Sequence, residues 1–127
     1  AGTIYVADRN NSTVRKLTAA GAVTTLAGTA GMTGSVDGTG AAARFNSPAG
    51  VAVDSAGNVY VADSGNSTLR KVTLTGTTTT IAGTPGAASI ALGATPRFGF
   101  PQGLAIVVDS LLVSDANAIL LLANGAR

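Results

Sequence analysis

Large parts of this chain are written twice. Gly2-Thr-Ile-Tyr-Val-Ala-Asp8 returns as Gly57-Asn-Val-Tyr-Val-Ala-Asp63, and Asn11-Ser-Thr-Val-Arg-Lys-Leu-Thr18 returns as Asn66-Ser-Thr-Leu-Arg-Lys-Val-Thr73. Val23-Thr-Thr-Leu-Ala-Gly-Thr29 returns as Thr78-Thr-Thr-Ile-Ala-Gly-Thr84, and all three pairs share an offset of 55 residues. A third, partial copy follows. Ala43-Arg-Phe-Asn-Ser-Pro-Ala-Gly-Val-Ala-Val53 matches Pro96-Arg-Phe-Gly-Phe-Pro-Gln-Gly-Leu-Ala-Ile106 at an offset of 53. Tyr60-Val-Ala-Asp63 then matches Leu112-Val-Ser-Asp115 at an offset of 52. Small deletions in loops account for the drift. A period of this size means stacked units that bury their apolar faces on one another.

Each unit resolves into four strand-like runs, a to d. Strand a is read at Gly50–Val53 and Gly103–Val107. Strand b is read at Thr3–Ala7, Asn58–Ala62 and Leu111–Ser114, and strand c at Thr13–Thr18, Thr68–Thr73 and Ala118–Leu122. Strand d is read at Ala22–Ala27 and Thr77–Ala82. β-branched residues fill the runs, and Gly, Asn, Asp and Ser punctuate their ends. Asp54-Ser-Ala-Gly-Asn58 reads as the a–b turn and Asp63-Ser-Gly-Asn66 as the b–c turn. Four short antiparallel strands per unit predict an all-β fold, a β-propeller built of four-stranded blades.

At one stretch the resemblance becomes specific. Phe45-Asn-Ser-Pro-Ala-Gly-Val-Ala-Val-Asp-Ser-Ala-Gly-Asn-Val-Tyr-Val-Ala-Asp-Ser-Gly-Asn66 resembles the NHL repeat. The preceding Leu26-Ala-Gly-Thr29, Asp37-Gly-Thr-Gly40 and Ala43-Arg44-Phe45 resemble the extended form common in exported bacterial proteins. The likeness weakens after Val107, and Ile119-Leu-Leu-Leu122 lacks the Arg-Lys pair of Arg15-Lys16 and Arg70-Lys71. The resemblance implies a propeller that is secreted, periplasmic or at the cell surface. It does not imply one activity, because folds of this kind host many.

The strand order is b-c-d, then a-b-c-d, then a-b-c, about two and a half blades against roughly 4–8 in a closed ring. We read residues 1–28 as a partial blade, 29–83 as a complete blade with the long loop 29–48, and 84–127 as a second partial blade, all of one propeller domain. The expected partners are the remaining blades, in a longer chain or in other protomers of an assembly. Taken alone, the chain is expected to expose apolar blade faces and to be unstable, oligomeric or aggregated.

Composition removes much chemistry. His, Cys, Trp and Glu are absent from the 127 residues, so there is no imidazole base, thiolate or Cys-based zinc site. Acid–base work falls to six Asp with Tyr5, Tyr60, Lys16 and Lys71. Eight Lys+Arg against six Asp+Glu, with 11% charged residues, argue against a nucleic-acid footprint. The apolar runs Leu104–Val108 and Ala118–Ala123 fall far short of the roughly 20 residues of a membrane span. No cofactor is expected. Calcium held by carboxylates and carbonyls is the alternative, against which no alternating Asp/Asn loop ending in Glu is present.

In a four-stranded meander the b–c turns and the d-to-a links share one rim. That rim gathers the candidate interaction residues Asp8, Arg9, Asn11, Asp37, Arg44, Asp63, Asn66, Arg97, Asp115 and Asn117. Asp8, Asp63 and Asp115 are expected to cap the turns that follow them, as Asx-turns. Arg44 and Arg97 are expected to pair with a rim Asp, and Arg70 to be solvated or between blades. Asn10, Asn11 and Asn66 each begin a glycosylation triplet. The uncharged d strands are expected to present unpaired outer edges, open to strand addition or guarded by twist alone.

The leading functional reading is a non-catalytic propeller scaffold for a protein or carbohydrate ligand. The alternative is a lactonase- or lyase-like propeller enzyme whose catalytic residues lie outside this segment.

Overall fold

The computed structural model describes residues 2–87, 97–108, 110–116 and 118–122. β-branched runs broken by Gly, Asn and Asp give eleven strands among them. These are β1 (Ile4–Asp8), β2 (Thr13–Leu17), β3 (Val23–Ala27), β4 (Gly38–Thr39), β5 (Pro48–Val53) and β6 (Val59–Asp63), followed by β7 (Thr68–Val72), β8 (Thr77–Gly83), β9 (Pro101–Val107), β10 (Ser110–Asp115) and β11 (Ala118–Leu122). They form three antiparallel sheets, ordered β1-β2-β3, β4-β8-β7-β6-β5 and β11-β10-β9. The fold is a β-propeller, present as about two and a half blades. β5 to β8 are strands a to d of the middle blade, which β4 extends.

The register repeats with the sequence. Tyr5 faces Lys16 and Val6 faces Arg15 across β1 and β2, and Tyr60 faces Lys71 and Val61 faces Arg70 across β6 and β7. The register slips between Val14 and Arg15 against β3, and again between Leu69 and Arg70 against β8. It also slips after Pro48 in β5 and near Pro101 in β9. Bulges that recur at matching positions coil each sheet in the same way.

Alternation along each strand sends one set of side chains to each neighbouring blade. Val59, Val61 and Val72 pack with Val14, Ala27, Ala43 and Phe45 between the first and middle blades. Tyr60, Ala62 and Leu69 pack with Leu111, Val113, Leu122 and Phe98 between the middle and third blades. Aromatics are scarce, and two of the three Phe occupy the same place in successive interfaces.

A glycine makes room for each ring. Gly28 has φ +93°, and an added Cβ would lie 2.8 Å from the Ser12 carbonyl oxygen and 3.3 Å from the Phe45 ring. Gly83 has φ +88°, and an added Cβ would press on the Ser67 carbonyl and the Phe98 ring. The matched Ala-Gly-Thr of the repeat is thus a packing requirement between blades. Gly28→Ala should destabilise the protein by about 2 kcal/mol or more, from backbone strain and overpacking together. Denaturant unfolding checks this, and an unchanged midpoint would remove the glycine from the interface argument.

Candidate functional site

The two long d-to-a links behave differently from simple rim loops. In loop 29–48, Gly31 N–H donates to the Asn11 carbonyl and Gly65 N–H donates to the Asn46 carbonyl, so both ends of the loop meet the b–c turns. Its middle does not. β4 pairs with β8, with Gly38 opposite Thr78 and Thr39 opposite Thr77. Asp37 accepts from the Thr80 N–H at 3.2 Å and from the Thr80 hydroxyl at 2.9 Å. Gly40 N–H reaches the carbonyl of Gly76, in the c–d turn of the opposite rim. The outer edge of β8, expected to be open, is therefore covered by the chain's own loop. A Gly-Thr pair is too short to register as a strand by its pattern.

Arg70 holds that loop down. Its side chain is wholly buried on β7, and all four of its terminal N–H groups are used. One amino group donates to Asp63 Oδ2 at 2.9 Å and to the Arg44 carbonyl at 2.8 Å. The other donates to Asp37 Oδ1 at 2.8 Å and to the Val36 carbonyl at 3.0 Å. The guanidinium carbon lies 4.9 Å from the Phe45 ring centroid. The planar fork of Arg suits this set, and Lys could not replace it. Of the two expected positions, solvated or between blades, Arg70 takes the second, buried against Phe45 on the face that packs on the first blade.

Asp63 corrects the capping expectation. It accepts no backbone N–H from its own turn. It reaches backwards, accepting the Asn46 N–H at 2.8 Å, with Asn66 Nδ2 at 2.7 Å and Arg70 on its other oxygen. Asp115 acts likewise, accepting the Gly99 N–H at 2.8 Å and the Phe100 N–H at 2.6 Å. Each carboxylate ties the end of strand b to the segment that enters strand a of the same blade. Burial pushes the Asp63 carboxyl above its ordinary range, against the opposing pull of Asn46, Asn66 and Arg70.

The remaining candidates divide into frame and surface. Asp63, Asn66 and Asp115 are buried. Asn66 also donates to the Gly34 carbonyl, so its amide faces inward and its glycosylation triplet is inaccessible. Arg44 does not pair with an Asp; it donates to the Ala41 and Ala43 carbonyls and to Thr29. Arg97 is exposed, and Asn117 lies outside the described residues. Among the described residues the two ion pairs are both made by Arg70, so Arg97 has none. Asp8 is half-buried and accepts the Asn11 side-chain amide at 3.0 Å. Arg9, Asn10 and Asn11 are exposed, so this end of the rim offers solvent-accessible polar groups.

The candidate rim residues did not include Arg70 or the two serines Ser12 and Ser67. Both serines follow a single 3-10 turn with left-handed φ, 56° and 57°. Ser12 Oγ accepts the Ser47 N–H and Ser67 Oγ donates to the Gly99 carbonyl, so each joins one blade to the next. Ser64 Oγ also donates across the interface, to the Pro101 carbonyl. The repetition of Asn-Ser-Thr at an offset of 55 was the available signal.

Among the described residues no group of three or more Asp or other ligating side chains gathers as a metal site. No helix there is long and apolar enough to cross a membrane.

The NHL repeat family profile matches residues 45–72, the stretch that runs from Phe45 through Arg70. This stretch is an NHL repeat. None of the curated proteins matches the chain. Among solved structures, a structural-genomics protein of unknown function from Bacteroides thetaiotaomicron VPI-5482 is 30% identical, with a TM-score of 0.83. That likeness covers 92% of this chain and 31% of that one. An auxiliary nutrient binding protein from the same organism is 22% identical at a TM-score of 0.74, covering 90% of this chain and 32% of that chain. The streptogramin B lyase structure is 16% identical at a TM-score of 0.67, covering 99% and 35%. The chain spans about a third of the length of these structures, and the last two likenesses show the fold alone.

Within the NHL repeat, removing Arg70 strands a buried carboxylate. Arg70→Met should cost about 3–5 kcal/mol, the range for breaking a buried pair. Asp37→Asn should cost under about 1 kcal/mol, because Asp37 is half-exposed and its pair is screened by water. Chemical denaturation of the two variants checks the order, and equal losses would contradict it.

Asp54 supplies a pH test. Burial raises its carboxyl, but donors from Asn58, Tyr60 and Ala56 outweigh that and hold it below the ordinary value. Its stabilisation is present above the unfolded carboxyl value, about pH 4, and is lost as pH falls through the lower folded value. The stability gap between wild type and Asp54→Asn should therefore close below about pH 4. Thermal midpoints across this range check it; a gap that persists at the acid end would contradict the assignment.

Proposed function

We propose that this chain is part of a non-catalytic extracellular or periplasmic propeller scaffold that binds a protein or carbohydrate ligand at its b–c rim. The observation that carries this reading is how the acidic side chains are spent. Asp63 and Asp115 hold strand entries, Asp37 holds a loop, and Asp54 holds a turn. Each has its oxygens in hydrogen bonds of the frame, which leaves them poorly placed as bases or nucleophiles.

Among the described residues, the exposed polar groups of the rim include Arg9, Asn10, Asn11 and Arg97. Flat polar surfaces of this kind suit hydrogen-bonded recognition of sugars or peptide backbone more than chemistry on a small molecule. The likeness to an auxiliary nutrient binding protein fits a binding role. The resemblance of the extended repeat to exported bacterial forms supports a location outside the cytoplasm.

Ligand arrays with the full-length protein test the reading. An Arg9→Ala, Asn11→Ala variant should lose at least about tenfold in affinity for the selected ligand, which is about 1.4 kcal/mol. Its thermal midpoint should change little, since the one structural bond removed is the exposed Asn11–Asp8 contact. Stoichiometric calcium in the purified protein, together with turnover of a small substrate, would overturn the scaffold reading in favour of the enzyme.

A further inference from the structure

The first and middle blades present the same face to what precedes them, but only one of the two faces is covered. On the middle blade, Val59, Val61, Val72 and Arg70 are all fully buried. Their counterparts at an offset of 55 are Ile4, Val6, Leu17 and Arg15. Ile4 is 55% exposed and Val6 is 44% exposed. The d strands differ in the same way. Thr78 is buried under β4, while its counterpart Val23 is 55% exposed.

Arg15 marks the chemistry of the gap. Its Nε is buried without a hydrogen-bond partner, as is that of Arg70, but among the described residues Arg15 makes no ion pair. Its twin Arg70 has two carboxylates, two carbonyls and an aromatic ring. One of those carboxylates has its twin already in place, since Asp8 corresponds to Asp63. What Arg15 lacks is the set supplied by loop 29–48: the Asp37 carboxylate, the Phe45 ring, and the Val36 and Arg44 carbonyls.

The third blade provides an internal control. The register places Leu120 opposite Val113, as Arg70 stands opposite Val61. Where Arg gives way to Leu, the loop that enters the blade, 84–101, contains no Asp. In the two blades whose entering loop lies in this chain, the strand-c Arg and the loop Asp are either both present or both absent.

We infer that the Arg15 face receives an extended segment of the same polypeptide that carries Asp-Gly and, eight residues after the Asp, an aromatic residue. The Asp-Gly portion adds as a short strand to the outer edge of β3 at Val23–Thr25. Its carboxylate pairs with Arg15 and accepts the Thr25 N–H, as Asp37 does from Thr80. The aromatic ring lies over the Arg15 guanidinium and closes the apolar patch of Ile4, Val6 and Leu17. The source is assigned to the same polypeptide because the matched structures are about three times as long as this chain and share its fold. This inference does not depend on the ligand reading.

Two measurements on the full-length protein test it. Arg15→Met should lower the thermal midpoint at least half as much as Arg70→Met, and Arg15→Lys should not restore it. The Thr25 amide should exchange at least about tenfold more slowly than an open edge amide, and Arg15→Met should abolish that protection. A neutral Arg15→Met, or an unprotected Thr25 in the wild type, overturns the inference. So does a fall in oligomeric mass on Arg15→Met in sedimentation, which would assign the face to a second copy.

Discussion

The structure of the middle blade depends on one buried cation. Arg70 stands on the third strand of the blade with no solvent access, and burying a guanidinium is costly unless its donors are matched. Matching it fixes three pieces of chain at once: the end of β6 through Asp63, the loop through Asp37 and Val36, and the entry to β5 through Arg44. A wholly apolar side chain at this place would have filled the volume. It would not have specified which loop conformation covers the outer edge.

The same residues set the spacing between blades. Phe45 lies against the Arg70 guanidinium on one side and packs with Val14 and Ala27 of the first blade on the other. Gly28 yields the space the ring occupies. Ser12 and Ser67, in left-handed backbone after their 3-10 turns, then fasten each b–c turn to the next blade. The blades are therefore joined by a wedge in the interior and a hydrogen-bonded buckle on the rim. This leaves little of that rim free. Among the described residues of the rim, Arg9, Asn10, Asn11 and Arg97 stay exposed.

The fold was legible because repetition and alternation are local signals. Ten of the eleven strands follow from β-branched or aliphatic runs that recur at offsets of 52 to 55 residues. The candidate site was less legible. Asp63 and Asp115 look like turn caps in sequence, since an Asp before Ser-Gly-Asn or Ala-Asn often bonds forward. Their carboxylates instead bond to Asn46 and to Gly99 and Phe100, which lie 17, 16 and 15 residues earlier in the chain. Arg44 illustrates the same difficulty: a loop arginine invites an ion pair, and here the nearby carbonyls take its donors.

By itself the sequence determined the all-β propeller class, the four-strand unit and the absence of His, Cys and Glu side chains. These follow from which residues recur and at what distance, and they survive any arrangement of the loops. Only the tertiary structure decided that Asp37 and Asp63 share Arg70, that Gly38–Thr39 closes the edge of β8, and that Asn66 and Asp115 are interior. The physical reason is that a charge or an edge is satisfied by whatever comes close in space. That closeness is set when the sheets twist and stack, and the linear spacing of the partners carries no trace of it.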